Sequence, residues 1–98
     1  MMLIYVLSEE AVNDIEEIFE FGDYKFGNTL AIDYLLGLQE YFDSISKNPN
    51  IGRERKDLKV GLYSLPYVSH IIFYRIFKDK IRIVRILYGG RDLIKFLD

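Results

Sequence analysis

The chain has 98 residues, which suits one domain, and half of them are apolar, which excludes an intrinsically disordered chain. It has no cysteine, so disulfides and thiol chemistry are excluded and a reducing cytoplasm fits; no basic leader with an apolar run opens it, and no apolar stretch approaches the ~20 residues of a membrane span. The net charge of −2 hides a division: residues 1–50 carry ten acids and two bases, residues 51–98 eleven bases and five acids.

Met2 to Leu7 is apolar throughout, which predicts a strand covered on both faces or lying inside a sheet. Ser8 is an N-cap, and Glu9 and Glu10 suit the positive end of the helix it starts. Ala11, Ile15, Ile18 and Phe19 form the apolar stripe of that helix. Asn13, Asp14, Glu16, Glu17 and Glu20 make its solvated face, and the helix stops between Gly22 and Gly27. Asn28 or Thr29 caps a second helix with the stripe Ala31, Leu35, Leu38, Phe42 and Ile45. Gly37 within it marks a close helix–helix approach. Asn48-Pro49-Asn50 ends it. About five residues between the helices predict an antiparallel pair.

Ile51 to Val60 reads as a polar loop carrying Arg53, Arg55, Lys56 and Lys59. Gly61 to Leu65 reads as a short strand ended by Pro66, which lacks the N–H of a central ladder. Tyr67 to Asp92 then forms two long strands around Lys78-Asp79-Lys80, rich in β-branched and aromatic residues. If Asp79-Lys80 is the turn, Arg75 and Arg82 share one face and Arg85 takes the other. Leu93 to Asp98 is an apolar tail of helical character that needs docking to persist. The order strand, helix, helix, strand, strand, strand predicts an α+β fold, both helices on one face of a small, mainly antiparallel sheet.

Metal binding is not expected, since His70 stands without a second histidine or any cysteine. In an apolar strand His70 reads as a half-buried structural residue, and no serine lies in a nucleophile-elbow pattern. The carboxylates from Glu9 to Glu20 read as a wet helix face. Gly89-Gly90 lacks the setting of a nucleotide-binding loop. The basic set remains, set against the plain reading of edge charges that keep a sheet soluble. Arginine suits bidentate contacts to carboxylate or phosphate. Tyr63, Tyr67, Tyr74 and Tyr88 are possible base-stacking groups, though core packing explains most of them.

LSEEAVNDIEEIFEF after a first strand, SISKNPNIGRERKDL at the exit of the second helix, GLYSLP, and HIIFYRIFKDKIRIVRILYGGRD occur in this order over nearly the whole chain. Together they resemble the RelE/ParE superfamily of bacterial type II toxins, the ParE branch most closely. The resemblance implies the same strand–helix–helix–three-strand fold over residues 1–98. It implies a cognate antitoxin that wraps and blocks the toxin, in a type II toxin–antitoxin (plasmid stabilisation) system. An acidic antitoxin tail would suit the basic half of the chain. ParE-like members poison DNA gyrase by binding it. RelE-like members cleave mRNA, and their basic groups correspond to positions near Leu62, Ser64 and Ile71, none of which is basic. Arg91 matches the family's late arginine. Tyr88 stands where a histidine is frequent, and Tyr63 where a basic residue is frequent.

The resulting expectation is a binding toxin without catalytic residue, metal or cofactor. Arg53, Arg55, Lys59, Arg82, Arg85 and Arg91 are the expected contacts to antitoxin or target. No membrane association and no sequence-specific nucleic-acid binding by the chain alone are expected. The enzyme alternative is an endoribonuclease in which Tyr88, Arg85 and Arg91 carry the chemistry. A third is a binding module without toxicity.

Overall fold

A computed structural model describes residues 3–90 and 92–97. The chain forms β1 (Ile4–Leu7), α1 (Glu9–Phe26), α2 (Asn28–Lys47), a 3₁₀ turn (Pro49–Ile51), β2 (Arg53–Glu54), β3 (Tyr63–Tyr67), β4 (His70–Ile76), β5 (Lys80–Tyr88) and a second 3₁₀ turn (Leu93–Phe96). The strands make one sheet of order β1-β5-β4-β3-β2. The β1–β5 pair is parallel and the rest are antiparallel, the α+β arrangement expected.

The Ser8 hydroxyl accepts from Ala11 N at 3.0 Å, capping α1 as read from the sequence. The joint between the helices is tighter than expected. Gly27 alone is both the C-cap of α1 and the N-cap of α2, and Asn28 and Thr29 are already helical. Its φ of 94° and ψ of 164° lie where essentially only glycine rests. Its N–H donates to the Asp23 carbonyl and its own carbonyl accepts from Ala31, both at 3.1 Å, so one residue closes the last bond of α1 and opens the first of α2, and no side chain caps the start of α2. Gly37 marks a close approach, but to β3: a Cβ there would collide with the Tyr67 hydroxyl.

Of the expected stripe of α2, Ala31, Leu38, Phe42 and Ile45 are buried and Leu35 is half-buried. Leu38, Phe42 and Ile45 pack with Ala11 of α1 onto Tyr67, Ile72, Tyr74, Ile81, Ile83 and Ile86 of the sheet. A second, smaller core lies on the sheet's other face. There Leu62, Phe73 and Leu87 are covered by Leu97 from the tail, with Leu58 and Leu93 packed against them. The tail therefore docks, as the sequence required.

Several strand expectations shift, each for a local reason. β1 is an edge strand whose neighbour is β5 alone; Tyr5 packs inward while Ile4 and Val6 remain exposed, so it is not covered on both faces. Arg53–Glu54 forms a two-residue strand inside the expected loop. Pro66 lies within β3, because β2 pairs only with Tyr63 and Ser64 and β3 is an edge by the time it reaches the proline. Val68 sits in the β3–β4 turn at φ 50°. A register shift against Phe73 and Tyr74 leaves Val84 without a partner, so Arg85 pairs with Phe73 while Arg82 pairs with Arg75. That bulge brings Arg85 onto the same face as Arg75 and Arg82, instead of the opposite one.

Candidate functional site

The register aligns Arg53 with Ser64, Ser64 with Phe73 and Phe73 with Arg85, one row across four strands on the face of the second core. Its ends are three strand spacings apart, about 14 Å between Cα atoms. The strand arginines thus share a face but are spread along it. Arg53 and Arg82 are exposed, and Lys59 is half-buried. Arg91 lies outside the described residues, as do Met2 and Asp98 at the ends of the expected first strand and tail.

Two arginines of the expected set are held by the fold. Arg55 donates from Nε and Nη2 to the Asp57 carboxylate at 3.0 and 2.9 Å, and from Nη1 to Ser64 Oγ at 3.4 Å. These hydrogen bonds lower the Asp57 carboxyl below its ordinary value and raise the Arg55 guanidinium. Arg85 donates from Nε and Nη2 to Asp14, both at 2.8 Å, and from Nη1 to the Phe96 carbonyl at 3.0 Å. Its pKa is raised, first by the hydrogen bonds to Asp14.

Asp14 is the residue that sequence reading misplaced. Its side chain is 7% exposed, against 18% for Arg85. Besides the arginine it accepts from Ile86 N at 2.9 Å. β1 pairs with β5 only as far as Ile83, so the next part of β5 presents an unpaired edge, and the carboxylate of α1 takes the ladder hydrogen bond that a strand would have taken. The signal was available: Asp14 is three residues after Ala11 and four before Ile18, on the buried side of the helix.

A groove of about 980 Å³ opens between the tip of the helical pair and the β4–β5 end of the sheet. Phe21, Phe26 and Leu30 wall it on one side, and His70 and Tyr88 stand on the sheet side. The Tyr34 hydroxyl and His70 Nδ1 share a hydrogen bond of 2.6 Å, which fits His70 as a structural residue of the groove wall. The Tyr67 hydroxyl donates to the Tyr34 carbonyl at 2.7 Å. Burial raises the pKa of Tyr34 and Tyr67. Phe21, Phe26 and Leu30 fall off the inward stripes, and their exposure is what the sequence reading left unremarked. Among the described residues no three of His, Asp and Glu gather to hold a metal ion, and no helix is long and apolar enough to cross a membrane.

Residues 5–93 match the family model described as the ParE toxin of the type II toxin–antitoxin system, parDE. The chain belongs to the ParE toxin family. Toxin ParE1 of Caulobacter vibrioides is 30% identical over 88 residues, 90% of this chain and 91% of that protein. Toxin ParE1 of Mycobacterium tuberculosis is 34% identical over 90 residues, 91% and 92% of the two chains. A structure of the chromosomal ParDE system from P. aeruginosa superposes with a TM-score of 0.78 at 19% identity, covering 89% of this chain and 96% of that one. The fold is therefore that of the RelE/ParE superfamily. The ParE match runs from β1 to the second 3₁₀ turn, so the groove and the second face both belong to the shared domain. Near the positions where the resemblance would put RelE-type basic groups, Leu62 and Ser64 are buried, and Ile71 packs on the second core. Tyr63 stacks on Tyr74 with centroids 5.5 Å apart, while Tyr88 is exposed on the groove wall.

Proposed function

We propose that this protein is the toxin of a type II toxin–antitoxin pair, held inactive by a cognate antitoxin in the cytoplasm, and that it poisons DNA gyrase by binding it. The observation that carries this reading is the ParE family match over residues 5–93. The burial of Leu62 and Ser64 supports binding over RNA cleavage, because a ribonuclease needs accessible proton-transfer and phosphate-stabilising groups.

Arg53, Lys59, Arg82 and Arg91 are the proposed contacts to antitoxin or target. Arg55 and Arg85 contribute whatever remains of their donors after Asp57 and Asp14 are served. The apolar groove suits the apolar face of a partner helix. The test is induced expression of the chain alone in bacteria, with DNA, RNA and protein synthesis followed by pulse labelling. DNA synthesis is expected to stop first, with filamentous cells. Protein synthesis stopping first, with cleaved transcripts, would establish the endoribonuclease alternative. Unaffected growth would leave a binding module.

A further inference from the structure

Arg75 of β4 stands directly opposite Arg82 of β5 in the ladder. Like charges in that relation destabilise a strand pair. Among the described residues the ion pairs are Arg55–Asp57 and Arg85–Asp14, so neither Arg75 nor Arg82 takes an acid. Asp79 in the adjoining turn is the nearest acid in sequence, and it too makes no ion pair. Arg75 rests on the Val60 carbonyl, to which Nη1 donates at 3.0 Å, and Arg82 is exposed.

The surroundings narrow what relieves this repulsion. Lys80 lies on the same face two residues before Arg82, its Nζ 5.7 Å from the centre of the Phe77 ring. Parallel register sets Ile4 beside Lys80 and Val6 beside Arg82, and these are 67% and 38% exposed. Neither belongs to the second core, which covers the other end of this face. Arg75, Lys80 and Arg82 therefore lie beside Ile4, Val6 and the 43% exposed Phe77, next to a free sheet edge. A nucleic-acid strand would bring a continuous row of phosphates, and Ile4 and Val6 have nothing to offer them. An extended protein segment that mixes carboxylates with apolar side chains matches both kinds of group.

We propose that this end of the second face is the seat of an acidic segment of the antitoxin, with one carboxylate gripped jointly by Arg75 and Arg82 and an apolar neighbour laid on Ile4 and Val6. The assignment of the segment to an antitoxin rests on the toxin reading above; the chemistry of the seat does not. The test uses the full chain and an Arg75→Gln/Arg82→Gln variant. The probes are a labelled short peptide alternating glutamate and leucine, and a thymidine oligonucleotide of equal length. The unaltered chain is expected to bind the peptide in preference to the oligonucleotide. The variant should lose on the order of tenfold or more of that affinity, the size of a lost charge-assisted hydrogen bond. It should also melt at the same temperature or higher, because a repulsion has been removed. Unchanged peptide affinity in the variant would overturn the proposal, as would tighter binding of the oligonucleotide or a clear fall in melting temperature. Growth arrest is read separately. A chain that grips the peptide without arresting growth refutes the toxin reading and leaves the acidic seat standing.

Discussion

The Asp14 carboxylate joins three parts of the molecule: α1, the open edge of β5, and through Arg85 the second 3₁₀ turn. Removing it leaves a largely buried guanidinium and a backbone N–H without their partner. Asp14→Ala is expected to destabilise by about 3 kcal/mol, at the low end for a buried pair because Arg85 retains some solvent. The check is the urea midpoint at unchanged m value. Losing both partners to apolar side chains of similar volume should cost less than losing Asp14 alone. Three buried or half-buried tyrosines set a different limit. Desolvation is the first cause raising Tyr34, Tyr67 and Tyr74 above the ordinary value of about 10. A raised phenol pKa means that the folded state holds its proton longer than the unfolded state. Stability from this source is complete below about pH 10 and is lost as pH climbs through the folded values. Denaturation midpoints should be flat across the preceding unit and fall beyond it. In Tyr74→Phe that fall should be shallower, with a loss of about 1–2 kcal/mol at neutral pH, because the hydroxyl serves both Pro49 O and Gly52 N.

At the scale of elements, the sequence announced what is periodic or capped. The Ser8 cap, both helical stripes, the Pro49 stop and the β4–β5 hairpin all follow from local rules. β2 did not, since two residues cannot display a period, and it exists because β3 offers an edge at Tyr63 and Ser64. The bulge at Val84 was partly visible: Ile81 and Ile83 alternate, then Ile86 falls out of phase. The one-residue helix joint escaped because Gly27 was read as a breaker, when its unusual dihedral angles let it serve both helices. Two turns make opposite predictions. An added Cβ at Gly27 meets nothing within 4 Å, so Gly27→Ala should cost about 1–3 kcal/mol through the backbone alone. Val68 holds a positive φ at the first central position of a two-residue turn, a place that favours glycine. Val68→Gly should therefore stabilise by about 1 kcal/mol, a rise of roughly 4–8 °C in melting temperature.

The whole molecule is a sheet covered unequally. Helices cover one face except at the groove beside His70 and Tyr88; the other is covered by a loop and a short tail at one end and left open at the other. The division of charge along the chain anticipated the two layers, acidic helices and basic sheet. The uneven cover was not legible, because it depends on where the Leu58–Leu62 loop and Leu97 settle. The second core is small enough that its tail matters. Truncation after Asp92 removes Leu93 and Leu97 from it and the Phe96 carbonyl from Arg85. Such a chain is expected to lose about 2–4 kcal/mol and to bind a hydrophobic dye as Leu62, Phe73 and Leu87 gain solvent. A truncated chain with full stability and no dye binding would show that the tail is dispensable to the core.

The parallel β1–β5 pair also sets a timetable. The opening strand waits for the last strand before its ladder can form, and the bonds from Ser8 to Val84 and from Asp14 to Arg85 reach across 76 and 71 residues of the chain. During translation most of the chain must therefore emerge before either end finds its place. An interrupted message yields a fragment that cannot close its sheet. The cell would thus meet this fold complete or scarcely at all, and a partner that catches the chain as it leaves the ribosome meets it before its two ends have joined.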